Sequence, residues 1–298
     1  MVQYTSLALA AAILPYFVSA VDPAAVYDGG YGNNSAIALR IGNGGAGQSG
    51  LVGVVANAFI QQSVQNGSAP FQVAWYESDT TTSIEYLQQG VIDLGITYDP
   101  DAEGRAIDQN IATSPSYYMF RDHFLFIGPT TNPANISSSD DIYTQFSKLY
   151  AAANVDTTST VRFLTRYDKS ATNIKDSLLW LGVGQVPWAT PYSTWYHQYI
   201  AFPIQALTAA ILLKEYTITD RGTYLSLTTD LESQLTIYKA ATDNATDPLL
   251  NPAHIIVGTR AQNVSFATKF AQWSISPPGQ AVITNFTKNG QQLYSGAP

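Results

Sequence analysis

The chain has 298 residues, 46% of them hydrophobic and only 12% charged, which is enough apolar material for a large core and two compact units of ordinary size. Such a composition excludes intrinsic disorder, and the formal net charge of −8 excludes the electropositive footprint that nucleic acid requires. Cysteine is absent, so disulfides, thiol nucleophiles, thiolate metal sites and iron–sulfur clusters drop out, and no cofactor is expected.

The N-terminus reads as an export signal. An apolar run from Leu7 to Val18 leads into the small-residue pattern Val18-Ser19-Ala20, which sets residues 1–20 apart as a signal peptide. No later stretch reaches 18 uninterrupted apolar residues. The longest, Ala201–Leu213, is broken by Pro203 and Gln205 and reads as a buried helix, so no membrane span is expected. Six of the 15 asparagines stand in Asn-x-Ser/Thr sequons: Asn33, Asn66, Asn135, Asn244, Asn263 and Asn285. That excess agrees with a secreted, extracellular glycoprotein, whose used sequons must lie on exposed surface.

After a Gly/Asn-rich lead-in, Ala36–Ile41 reads as a strand, Gly42–Gly50 as a loop and Leu51–Gln62 as an apolar-faced helix. Phe71–Tyr76 is a second strand, Thr80–Gln89 a helix opened by hydroxyl residues, and Val91–Tyr98 a third strand. His123–Gly128 reads as a strand crossing between two units. The same grammar then repeats: strand Thr160–Thr165, polar loop Arg166–Thr172, helix Asn173–Leu181, helix Ile204–Lys214 and strand Tyr216–Thr219. A strand at Ile255–Gly258 and helices at Ala267–Ile275 and Ala281–Phe286 end the chain. Strand–helix alternation is the grammar of an α/β fold with a mostly parallel sheet flanked by helices.

Three segments carry candidate chemistry. The loop Gly42-Asn43-Gly44-Gly45-Ala46-Gly47-Gln48-Ser49 holds a G-x-G-x-x-G, and it fits a nucleotide-triphosphate loop except that Gln48 stands where Lys is needed. Both matches are weak, but glycines at a helix start free backbone N–H groups for an anion, against the alternative of a packing turn. Four of the 14 basic residues, Arg162, Arg166, Lys169 and Lys175, cluster around the second polar loop. There Arg166 offers a fork of donors suited to an oxyanion, unless it merely pairs with Asp168, and Ser170 or Thr172 can cap the next helix. The third segment is Thr80-Thr81-Thr82, whose hydroxyls can serve an anion or simply cap their helix.

Signals for catalysis are poor. His123, His197 and His254 fall in no metal-binding spacing, there is no G-x-S-x-G elbow, and no acidic metal loop. His123 reads as a satisfied, partly buried side chain. The aromatic run Trp188, Tyr192, Trp195, Tyr196, His197, Tyr199 and Phe202 could stack on sugars but reads better as core or as lobe-closing surface.

Several stretches in this order resemble the tungstate/molybdate-type substrate-binding proteins of ABC importers, within the type II periplasmic-binding-protein superfamily. They are Ser49-Gly50-Leu51, Asp93 to Glu103, Asp122 to Pro129, Arg166-Tyr167-Asp168-Lys169-Ser170-Ala171-Thr172, Tyr216 to Thr223, Leu250-Asn251-Pro252, and Trp273 with Gly279-Gln280. The resemblance runs from about residue 36 to the end and implies two lobes with a ligand cleft between them. It implies one lobe at 21–125 and 226–298 and the other at 126–225. It also implies Arg166, Ser170 and Thr172 as ligands on one side, facing the first loop and the Thr80–Thr82 helix start on the other. The family's first loop is rich in Thr and Ser, whereas Gly42–Gly45 here leaves backbone amides and Asn43, an opening for a larger ligand. The sequons make the chain similar to a secreted fungal member, for which an importer partner stays open.

The expected protein is therefore not an enzyme. It is a secreted solute-binding protein that captures a small inorganic oxyanion using Asn43, Gly44, Gly45, Thr80, Thr81, Thr82, Arg166, Ser170 and Thr172. A secreted hydrolase for an anionic substrate, or an interaction module with an idle cleft, are the alternatives.

Overall fold

The computed structural model describes residues 21–32, 36–189 and 193–298. The proposed signal segment 1–20, the sequon at Asn33 and Tyr192 lie outside the described residues. The first group of elements is β1 (Ala25–Tyr27), β2 (Ile37–Asn43), α1 (Gly45–Ser49), α2 (Leu51–Gln65), β3 (Gln72–Glu77), α3 (Thr80–Gln89), β4 (Leu94–Thr97) and α4 (Pro100–Asp108). A 13-residue strand, β5 (Tyr117–Pro129), leads to α5 (Ile142–Val155), β6 (Phe163–Thr165), α6 (Ala171–Gly182), β7 (Tyr196–Gln198), α7 (Pro203–Leu212) and β8 (Thr217–Asp220). The chain then turns through α8 (Arg221–Tyr224) and α9 (Thr229–Glu232) into β9 (Leu235–Ala240). It finishes with β10 (Leu250–Val257), α10 (Val264–Ser274), α11 (Pro277–Thr284) and the short β11 (Thr287–Lys288), β12 (Gln291–Gln292) and β13 (Ser295–Gly296).

Local chemistry sets the boundaries that matter for the site. Asp79 caps α3 by accepting from the Thr82 amide at 2.7 Å, and Gly90 ends that helix in the left-handed region that glycine adopts freely. Ser170 caps α6 through the Asn173 amide. Each position of β4, Leu-Gly-Ile-Thr, is buried, as expected of a central strand covered on both faces.

The sheet runs in the order β1-β3-β2-β4-β10-β5-β13. Only β3, β2 and β4 are mutually parallel. β10 enters antiparallel to both β4 and β5, and β1 and β13 are antiparallel edges, so the sheet is mixed rather than mostly parallel. The reason is the return of the chain: β10 arrives from the other lobe without the helical crossover that a parallel neighbour needs.

β5 ties the lobes together. Its first half, to His123, pairs with β10, and its second half, from Phe124, pairs with β8 and β9. At about 3.3 Å per residue this one strand runs roughly 43 Å. Two cores flank it. One packs Leu51, Val55 and Phe59 of α2 against Val73, Leu94, Ile255 and Phe270, with the Phe59 and Phe270 rings edge-on at 5.1 Å. The other gathers Phe126, Phe146, Phe163, Trp180, Trp195 and Tyr216, with Phe146 and Trp180 at 4.6 Å. β9 pairs with β5, and Tyr238 and Leu249 pack in this second core, so the second lobe's packing extends to about residue 249 rather than ending at 225.

Candidate ligand-binding cleft

A cavity of about 570 Å³ opens between the two cores. Gly44, Gly45, Ser78, Thr80 and Thr82 form one wall, and Arg166, Ser170, Ala171, Thr172, Ile200 and Phe202 face them. Asp122, Phe124, Asp220 and Asn251 line it from β5, β8 and β10, the strands that join the lobes.

Seven of the nine expected ligand residues meet here; Asn43 and Thr81 do not. Asn43 is fully buried, with Nδ2 donating to the Ile96 carbonyl at 2.8 Å and Oδ1 accepting from the Gly47 amide at 2.8 Å, so it shapes the loop from behind. Thr81 sits outside the cavity, where its hydroxyl donates to the Lys169 carbonyl at 3.3 Å and links α3 to the loop before α6. The loop glycines also divide. A Cβ at Gly42 would collide with Ile92, one at Gly47 with the Trp75 ring, and one at Gly44 would press on the Ser78 carbonyl at 3.0 Å, whereas Gly45 faces open space.

On the first wall, Thr80 is 3% exposed and its Oγ1 has no hydrogen-bond partner among the described residues, a state that costs free energy unless a ligand completes it. The amides of Thr80 and Thr81 begin α3, and those of Ala171 and Thr172 begin α6. First-turn amides lack intrahelical acceptors, and these four have none elsewhere among the described residues. Across the cleft, Arg166 donates through Nη2 to Asp168 and through Nε to the Ala201 carbonyl at 3.0 Å. The pairing with Asp168 that the sequence offered as its alternative is therefore real, and it leaves only part of the guanidinium fork for a ligand. The backbone around it is bent: Tyr167 and Lys169 both hold positive φ, at 49° and 61°, which bulky residues adopt at a cost of about 1–3 kcal/mol each.

Sequence reasoning missed the acidic side of the cleft. Glu77, Asp79, Asp122, Asp168 and Asp220 all line it. Each accepts hydrogen bonds: Glu77 from Gln48, Asp79 from the Thr82 amide, Asp168 from Arg166 and the Ser170 amide, and Asp220 from the Thr223 amide and hydroxyl. Asp122 is buried; the His123 amide donates to Oδ1 at 2.8 Å and Asn251 to Oδ2 at 3.3 Å. Burial first, and then the charge of Asp220, holds its carboxyl well above the usual carboxylate range. The available signal was the polar run Arg121-Asp122-His123 inside the 13-residue strand β5, and an Asn inside the buried strand β10.

The histidines stand away from the cavity, each beside a carboxylate: His123 with Asp243, His197 with Glu215 and His254 with Glu103. Among the described residues no group of three or more His, Asp or Glu is placed to hold a metal, and no helix is long and apolar enough to cross a membrane. The five described sequon asparagines, Asn66, Asn135, Asn244, Asn263 and Asn285, are all exposed.

Comparison with known proteins gives this cleft a context. A crystal structure of a periplasmic candidate metal-binding protein is 60% identical and superposes with a TM-score of 0.86, covering 92% of this chain and 99% of that one. A Haloferax volcanii protein named as a candidate ABC-transporter anion-binding protein is 29% identical over 72% of this chain, which spans only 60% of that protein's length. The tungstate-binding protein TupA of Peptoclostridium acidaminophilum is 25% identical over 74% of this chain and 71% of its own. The profile of the PBP superfamily domain matches residues 31–278, and the chain belongs to that superfamily of periplasmic-binding-protein folds.

Proposed function

We propose that this solute-binding protein captures a small oxyanion, of the tungstate and molybdate class, in the cleft between its lobes. The observation that carries the reading is the convergence of α3 and α6 on one cavity from opposite lobes, with the unpaired Thr80 hydroxyl beside the α3 amides. Free amides and the positive end of the helix dipole favour an anion, each helix by about 0.3–1 kcal/mol and up to ~2 when partly buried. Gly44 and Gly45 bring further backbone to the same wall, and the Arg166 fork contributes what Asp168 leaves free. The names of the Haloferax and Peptoclostridium relatives agree with an anion ligand.

Capture in this reading is closure of the two walls on the ligand, with β5 and its neighbours as the pivot. For a five-atom oxyanion, the ceiling of about 1.5 kcal/mol per heavy atom gives roughly −7.5 kcal/mol, an affinity in the low micromolar range. The chain is further proposed to be exported and glycosylated, on the strength of its N-terminal apolar segment and exposed sequons. An ABC transporter stands in the name of the Haloferax relative and is proposed here only as the class of partner.

Thermal unfolding of the purified protein with tungstate, molybdate, sulfate and phosphate tests the reading. At about 100 times Kd a ligand of the native state adds ~2.7 kcal/mol. Thr80→Val, which keeps shape and removes the unpaired hydroxyl, should retain the fold and lose most of that gain. No stabilisation of the wild type by any of these anions would defeat it.

A further inference from the structure

An oxyanion held by the helix starts leaves one part of the cavity unused. Asp122, Asp220 and Asn251 line it from three paired strands: Asn251 lies opposite Asp122 between β10 and β5, and Asp220 opposite Phe124 between β8 and β5. Asn251 is 3% exposed; its Nδ2 is spent on Asp122, and its Oδ1 accepts no hydrogen bond from the described residues. Among the described residues, two carboxyls and an unpartnered amide oxygen thus meet with no donor to them beyond the His123 amide, Asn251 and the Thr223 cap of α8. Resting on the oxyanion reading, we propose that these three residues form a second subsite, which takes a cation alongside the anion.

Several observations favour a cation over a neutral hydroxyl. Burial and the charge of Asp220 keep the Asp122 carboxyl protonated toward neutral pH in the empty cleft, and Arg221 is the nearby cation that opposes this. A hydroxyl would satisfy Asn251 alone, whereas an ammonium or a metal ion satisfies Asn251 and takes the place of that proton. The cavity of about 570 Å³ lies in the range of sites for organic ligands, with room for more than a five-atom tetrahedral ion. Its apolar lining by Phe124, Ile200 and Phe202 suits a short hydrocarbon link between charged ends. The cation has two sources: an ammonium on the same molecule as the oxyanion, or a free metal ion that enters with it.

Calorimetric titration of the whole secreted protein with matched probes separates these sources. If the ammonium belongs to the ligand, 2-aminoethylphosphonate should bind about tenfold or more tightly than ethylphosphonate. In Asp122→Asn and Asp220→Asn that preference should shrink to about threefold or less while ethylphosphonate still binds. If the cation is a free metal, manganese chloride should raise tungstate or ethylphosphonate affinity about tenfold, and the same variants should abolish the rise. Wild-type protein that binds ethylphosphonate or tungstate with no response to either cation would overturn the subsite and leave the oxyanion reading standing. Should no anion bind at all, that reading falls by itself. Ethylamine and manganese chloride alone then decide the subsite: binding lost in Asp122→Asn sustains it, and no binding ends it.

Discussion

Arg166 reaches both Asp168, two residues along its own loop, and the carbonyl of Ala201 on the segment leading into α7. The guanidinium therefore holds the second wall of the cleft together and is already half neutralised before a ligand arrives. Arg166→Ala should weaken oxyanion binding by roughly tenfold to a hundredfold, because it removes donors and leaves Asp168 unbalanced at the cleft. Asp168→Asn makes the sharper test. It keeps an oxygen for the Ser170 amide, frees the guanidinium, and should tighten oxyanion binding by a few-fold. Isothermal titration of both variants decides; if Asp168→Asn binds more weakly than wild type, the pair acts as a structural unit and not as a brake on the anion.

Much of this arrangement was legible in the sequence, and the failures have physical causes. α3 runs from Thr80 to Gln89 as expected, because Asp79 and Gly90 punctuate it with a cap and a left-handed stop. α5, whose apolar spacing is ordinary, was passed over, as were the short strands β7 and β9, which pair only through long-range partners. Local signals cannot reveal a strand whose stabilisation comes from neighbours far along the chain. At the cleft, Arg166 stood out as a candidate through its local chemistry and Ser170 and Thr172 through the resemblance, and all three line the cavity. Asp122, Asp220 and Asn251 were missed because they stand on three strands well separated in sequence, which only pairing brings side by side.

The raised Asp122 carboxyl has a consequence for the empty protein. A folded-state pKa above the unfolded value means that the native state binds more protons between the two, so this contribution is full below about pH 4 and is lost as pH rises toward the folded value. Asp220, Arg221, Asn251, the His123 amide and the buried Tyr98 and Tyr294 hydroxyls are groups that face it. Asp122→Asn removes the effect. Its melting temperature relative to wild type should therefore rise steadily between about pH 5 and pH 8. Parallel curves for the two proteins across that range would mean that Asp122 ionises like an ordinary surface carboxylate.

Stability elsewhere depends on a buried ion pair. Asp93 accepts from Nη2 and Nε of Arg40 at 2.7 and 3.1 Å, from the Arg40 amide, and from the Gln262 amide, which ties β2, β4 and the approach to α10 together. Breaking a buried pair from one side strands a charge, so Asp93→Ala should cost about 3–5 kcal/mol. The Arg105–Asp108 pair is exposed on both sides, and Arg105→Ala should change stability by less than about 0.5 kcal/mol. Urea denaturation of the two variants measures both. Equal losses would mean that burial does not separate the two pairs.

The sequons make a prediction about the mature protein. Because all five described acceptors are exposed, enzymatic deglycosylation of secreted material should lower its mass by several glycan units, and the N-terminal peptide should begin after Ala20. Intact-mass and peptide analysis reads both at once. Secreted material that starts at Met1 and does not shift on deglycosylation contradicts the proposed export route.

Gly45 separates cleft geometry from folding. It begins α1, lines the cavity, and is the one glycine of Gly42, Gly44, Gly45 and Gly47 whose added Cβ would touch nothing. Gly45→Val should therefore fold, with an unliganded melting temperature within a few degrees of wild type, since a change of about 1 kcal/mol shifts a chain of this size by only ~2–4 °C. Its branched side chain would project into the cleft and keep an anion from the backbone amides of that wall. Loss of hydrogen bonds to a charged ligand, at roughly 1.5–3 kcal/mol each, should lower affinity by about tenfold to a hundredfold. Gly47→Val is the contrasting variant, because its Cβ would enter the Trp75 ring and disturb the core instead. Thermal unfolding with and without tungstate should then show Gly45→Val stable but unresponsive and Gly47→Val destabilised before any ligand is added. If Gly45→Val keeps the full tungstate response, the ligand does not approach the first loop, and the anion rests on α3 and α6 alone.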